Sequence, residues 1–230
     1  MSVRQLAAVA FVALLAGAAA SAGGAVTGHE CDRIPQCIAV PGPWVFVPAD
    51  GEVTFLLDCP GRRGVVGGLD ALATSQDVHA TFDGILGSPV AFGRTTGRFA
   101  FFRAVTGVHR SGAFQPLIGC IPAPNSTPVT TAARVTPIGP PLDAMQVTFA
   151  EHPGTVRKHS LACLHGAHLV DSWNATVFAT KRPPKLGLAG LITVTRTTRA
   201  GHVTATVRTS RSLPPGTGAA VQLGVRCASE

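Results

Sequence analysis

Apolar and polar positions alternate along most of this chain, and the alternation is cleanest near its end. In His202-Val-Thr-Ala-Thr-Val-Arg208, Val203, Ala205 and Val207 take one side while His202, Thr204, Thr206 and Arg208 take the other, the period of a strand with one face buried. Residues 191–198 behave alike, with Ile192 and Val194 inward and Thr193, Thr195 and Thr197 outward. A turn at Ala200-Gly201 would join the two as a hairpin and set Thr195 and Thr197 across from Thr206 and Thr204. In residues 221–227 the apolar set is Val221, Leu223, Val225 and Cys227, which puts that cysteine on the core side. Further strands are predicted over 44–47, 53–59, 65–69, 99–103, 147–149 and 169–178, and the nearest approach to an amphipathic helix is 69–78.

The pattern repeats. Residues 64–71, Gly-Val-Val-Gly-Gly-Leu-Asp-Ala, lie over 168–175, His-Leu-Val-Asp-Ser-Trp-Asn-Ala, and Gly97 falls on Gly201, at one offset of 104. Ala113-Phe114-Gln115 before Cys120 answers Ala220-Val221-Gln222 before Cys227. A tandem duplication follows. It predicts a counterpart hairpin in the first copy with its turn at Thr96-Gly97 and Arg98 in the place of His202. It also selects a disulfide pattern from the six cysteines: Cys59 with Cys120, Cys163 with Cys227, and Cys31 with Cys37 closing a small loop.

Composition places those disulfides outside the cytoplasm. Arg4, an apolar stretch over 6–20 and Ala20-Ser21-Ala22 read as a secretory signal over residues 1–22, and no second such stretch occurs, so the mature chain is expected to lack a transmembrane segment. The exported side of a membrane favours pairing of thiols. With 26 glycines, 18 prolines and 13% charged residues, the chain favours turns and strands over surface helices. Six prolines between Pro122 and Pro141 suit an extended connector rather than a central strand. The expected fold is all-β: a first β-sandwich over 23–121, a connector over 122–145 and a second β-sandwich over 146–230.

Two resemblances bear on this. Cys163, Trp173 and Cys227 loosely resemble the cysteine, tryptophan, cysteine pattern of immunoglobulin domains, although Cys227 is three residues from the last residue given and Leu69 stands in the first repeat where Trp173 stands in the second. Cys59-Pro60-Gly61 with Val65-Val66-Gly67-Gly68, closing at Cys120, resembles a repeat of exported proteins from high-GC bacteria whose function is not established. That resemblance covers about sixty residues; it implies an extracellular β-domain and carries no catalytic residue across.

Charge narrows the chemistry. Residues 151–230 hold ten Lys or Arg and three acids, whereas 23–150 hold eight and nine, so the second repeat carries the basic character of a chain with net charge +7. Arg199, Arg208 and Arg226, the latter two outward by parity, with Lys181 and Arg182, form the candidate binding set; Arg196, Arg211 and Lys185 lie near them in sequence. Guanidinium forks suit carboxylates and phosphates, so the expected partner is an anionic envelope polymer or an acidic protein, and no nucleic acid is expected. His152, His159, His165 and His168 form the only dense histidine group, but their spacing matches no zinc motif; His159 shares a face with Leu161 and Cys163 at the margin of the core. Exposed aromatic platforms for sugar stacking are not expected from two Trp and no Tyr, and Trp173, alternating with Leu169, reads as core. No nucleophile elbow, phosphate loop or paired-carboxylate spacing is present, so the chain is read as a non-enzymatic interaction or structural protein without cofactor, secreted or held at the cell envelope. Two alternatives remain: a hydrolase inhibitor presenting Arg33-Ile34 in the 31–37 loop, and an enzyme with a histidine metal site.

Overall fold

The computed structural model describes residues 28–60, 64–86, 89–91, 94–95, 97–107, 109–122, 131–132, 143–199 and 201–229. The signal expected over 1–22 and most of the connector expected over 122–145 lie outside these residues. The described chain is all-β, with antiparallel pairing throughout. Its strands are β1 (Ile38–Pro41), β2 (Trp44–Val47), β3 (Glu52–Asp58), β4 (Gly64–Ala73), β5 (Val78–Leu86), β6 (Pro89–Ala91), β7 (Arg94–Thr95), β8 (Phe99–Thr106), β9 (Gly112–Pro122), β10 (Thr131–Ala132), β11 (Asp143–Ala150), β12 (Val156–Ala162), β13 (Ala167–Phe178), β14 (Ile192–Arg199), β15 (His202–Thr209) and β16 (Ala219–Ser229). A short 3₁₀ helix, Leu186–Leu191, precedes β14.

Three-stranded sheets recur in both halves, ordered β3–β8–β5 and β12–β15–β14. The β14–β15 hairpin forms with the expected pairs, Thr195 opposite Thr206 and Thr197 opposite Thr204, and Gly201 takes the left-handed φ of 75° at its tip. Its counterpart in the first half differs from expectation: β8 pairs with β5, while Arg94–Thr95 before Gly97 pairs with β6 and β10 in a small separate sheet. The segment 69–78 forms no helix. Leu69 to Ala73 pair with β9, which gives their backbone partners and packs Leu69 and Ala71 against the core, and Ser75 accepts from Val78 N in the turn into β5.

Both halves also pair a second set of strands in the same way. β9 lies between β4 and the β1–β2 run as β16 lies between β13 and β11. Strand pairing corrects the constant offset of 104. Val66 and Leu169, each opposite the second cysteine of its half, are 103 apart, and each precedes a bulge at Gly67 or Val170. One residue fewer separates Cys163 from this point than separates Cys59 from its counterpart, and a one-residue slide exchanges the faces of a strand. Trp173 therefore corresponds to Asp70, not to Leu69, and the bulge puts Trp173 and Leu169 on opposite faces.

The halves share one sheet. β2 pairs with β9 of its own half and, through Val45 opposite Val177 and Trp44 opposite Phe178, with β13 of the other. Paired residues share a face, so Phe114, Ile118 and Cys120 lie on the same side as Val45, Val177 and Ala175; this side packs against Phe55, Leu57 and Phe102 of β3 and β8. The opposite side, with Leu223, Val225 and Cys227, packs against Val203 and Ala205 of β15. Three disulfides, Cys31–Cys37, Cys59–Cys120 and Cys163–Cys227, join the predicted partners.

The seam between the halves is polar at its centre. Gln222 is buried on β16, and its Oε1 accepts from Leu56 N at 2.9 Å and Trp173 Nε1 at 3.0 Å while its Nε2 donates to Leu56 O at 2.9 Å. Leu56 belongs to the edge strand β3, so one side chain does for that edge what a neighbouring strand would do. Around it Leu56, Phe101 and Trp173 form an apolar cluster, with Phe101 and Trp173 edge to face at 5.2 Å. The repeat-equivalent Gln115 donates to Gly42 O at 2.9 Å, its one side-chain bond among the described residues.

Candidate functional site

The face of β12–β15–β14 that points away from the shared sheet is built by alternation. With Val203, Ala205 and Val207 buried, the register aligns four rows outward: Val156, Arg208 and Thr193; Lys158, Thr206 and Thr195; Ser160, Thr204 and Thr197; Ala162, His202 and Arg199. Hydroxyls occupy the middle rows, Ser160 and Thr204 bonding each other at 3.0 Å, and cations stand at both ends. Lys158, Arg199 and Arg208 are exposed, and among the described residues none of them has a carboxylate within ion-pairing distance. Unneutralised cations beside hydroxyl donors can engage phosphate or carboxylate oxygens without first breaking an internal bridge.

Comparison of the two halves shows how this face differs from its duplicate. Ser160 and Thr204 occupy the register positions of Leu56 and Phe101, the pair that the seam buries. In the first half this row of the face is apolar and covered; in the second the matching row is polar and open.

The predicted binding residues are divided by the fold. Arg199 and Arg208 share the face. Arg226 does not, because β16 belongs to the shared sheet and its outward parity points to the seam, where the guanidinium lies 4.1 Å from the centre of the Phe101 ring. Lys181 and Arg182 are exposed in the link between β13 and the 3₁₀ helix, outside the sheet. Lys158 and His202 join the face: Lys158 alternates with His159, Leu161 and Cys163, and His202 stands on the predicted outward side.

The other candidates lie elsewhere. His159 stacks on Phe149 with centroids 3.4 Å apart, at the core margin as expected, while His165 and His168 are exposed around the β12–β13 connection and His152 is exposed in the turn before β12. Arg33 sits in a turn at φ 59°, and Ile34 lies over Gly67 and Gly68 of β4, so the 31–37 loop presents Arg33 bent rather than extended. His29 Nδ1 donates to Asp32 at 2.9 Å, and this bond with the nearby charge raises the imidazole pKa above 6.5.

Fold and surface define a disulfide-paired all-β protein with one open basic face. No protein-family model matches the chain, and neither a curated protein nor a solved structure matches it. No helix among the described residues is long and apolar enough to cross a membrane, and three disulfides are compatible with an extracellular setting.

Proposed function

We propose that this is an exported, non-enzymatic binding protein of two immunoglobulin-like repeats that holds an anionic polymer of the cell envelope on the outer face of β12–β15–β14. The duplicated strand order supports the reading of two related β-sandwiches joined edge to edge. One observation carries the functional reading: the positions that are Leu56 and Phe101 in the covered copy are Ser160 and Thr204 in the open one, framed by Lys158, Arg199 and Arg208. A face selected only for solubility needs neither aligned hydroxyl rows nor a single sign of charge.

The test is binding of the full chain to immobilised poly(glycerol phosphate) and polyphosphate across a salt series. Binding is expected to weaken steeply as the Debye length falls from about 10 Å at 0.1 M to about 3 Å at 1 M. Replacing Lys158, Arg199 and Arg208 together by Ala is expected to lower affinity at least tenfold, while Arg226→Ala changes stability more than binding. Binding that is insensitive to salt, or that survives the triple replacement, refutes the proposal.

A further inference from the structure

The duplication is also an internal control for the interior of the second half. Ser172, Asn174 and Thr176 of β13 lie opposite Val225, Leu223 and Val221, and so point to the interior side of that strand. At the same register in β4 stand Leu69, Ala71 and Ala73, of which Leu69 and Ala71 pack into the first core. At the exposed rim, Arg196 of β14 lies opposite Ala205 where Phe82 of β5 lies opposite Phe102, its ring edge-on to Phe102 at 5.5 Å. At two half-buried positions the second copy carries polar Ser172 and Asn174 where the first packs Leu69 and Ala71 against its core, and half-buried Thr176 continues the polar row. Such a concerted departure from the packing rule marks a place where something other than packing decides the residues.

These side chains open onto a cleft of about 450 Å³ bounded across the seam by Glu52 and Thr54 of β3. Its size falls in the range of roughly 300–1,000 Å³ common to small-ligand sites. Among the described residues, the Ser172 and Thr176 hydroxyls and the Asn174 amide bond no protein group, so their donors and acceptors face the cleft uncommitted. Asp171 and Glu52 supply acceptors, and Arg196 supplies donors.

We propose that this cleft binds a short neutral oligosaccharide. A ligand meeting acceptor-only carboxylates, a donor-only guanidinium and an amide that is both must itself offer donors and acceptors side by side, which ring hydroxyls do. Opposed charges on the lining, with Glu52 also bonded to Arg103, favour a neutral ligand over a polyanion, so this site is distinct from the basic face. An extended peptide would instead seek an open strand edge, and the edge of β3 beside the seam is already taken by Gln222.

Calorimetry and saturation-transfer NMR on the full chain test this with cello-, malto-, manno- and chito-oligosaccharides of two to four units, with dipeptides and polyphosphate as separate arms. At least one saccharide is expected to bind with little dependence on salt. The double variant Ser172→Leu, Asn174→Ala, which installs the residues of the first half, is expected to lose that binding at least tenfold with an equal or higher Tm; Asn174→Ala alone is expected to weaken it severalfold should the double variant misfold. Absence of saccharide binding, dipeptide binding in its place, or binding that survives both variants overturns the proposal. Salt-insensitive saccharide binding that persists when Lys158, Arg199 and Arg208 are removed separates this site from the polyanion face.

Discussion

Gln222→Ala tests whether one side chain fastens the two halves together. In the native chain, the Gln222 amide serves Leu56 N, Leu56 O and Trp173 Nε1, all buried. Truncation at Cβ leaves three polar groups without partners, each costing about 1–3 kcal/mol when no solvent reaches it. Water entering the vacated space recovers part of this, so the expected loss is about 3–5 kcal/mol, a large share of the roughly 5–15 kcal/mol by which a folded chain is stable. The control is Gln115→Ala, the same position of the duplication, where one half-buried bond to Gly42 O is lost at about 1 kcal/mol. Urea unfolding of both variants, disulfides intact, measures the difference, and native-state hydrogen exchange should show the Leu56 amide losing protection in Gln222→Ala alone. Equal destabilisation by the two variants, or an unchanged Leu56 amide, refutes the view that the edge of β3 is completed by this side chain.

Two further outcomes are expected. Gly224→Ala drives a methyl group into the Trp173 ring, which has the β8 cluster behind it and cannot retreat freely; thermal unfolding should show a loss of about 1–3 kcal/mol or more, and no loss would mean the ring is not confined. NMR titration should place the His29 pKa above 6.5, because the Asp32 bond and charge favour the imidazolium, and Asp32→Asn should lower it. The stabilisation linked to that pair is fully present below the ordinary histidine pKa and is lost as pH rises through the raised one; a His29 titration unaffected by Asp32→Asn refutes the assignment.

Local alternation was readable because each strand pays no attention to distant residues in choosing its two faces. The β14–β15 hairpin, its threonine pairs and the inward Cys227 follow from period two and a glycine at the turn. The disulfide partners followed from the duplication, since a repeated spacing between cysteines admits one self-consistent pairing. Part of the site was readable for the same reason, as parity sends Arg208 outward and the hairpin register sets Arg199 on the same face.

Other features passed unread because they depend on register across strands. The bulges at Gly67 and Val170 and the missing residue after Cys163 shift β13 by one position, so Trp173 is buried as expected but on the face opposite Leu169, in the cluster at the seam, and Ser172, Asn174 and Thr176 turn inward. Arg226 obeyed its outward parity but met Phe101 instead of solvent. Parity names two faces without saying what lies against either one.

Strand identity, the duplication and its cysteine pairing are properties of short-range pattern, and the chain alone determines them. Which rows are covered is a property of the seam: β2 pairing with β13 and Gln222 reaching Leu56 bury the Leu56–Phe101 row of one copy's outer face and leave the matching Ser160–Thr204 row of the other open. That choice belongs to tertiary structure because it balances contacts between residues 166 positions apart, for which no local spacing gives a sign.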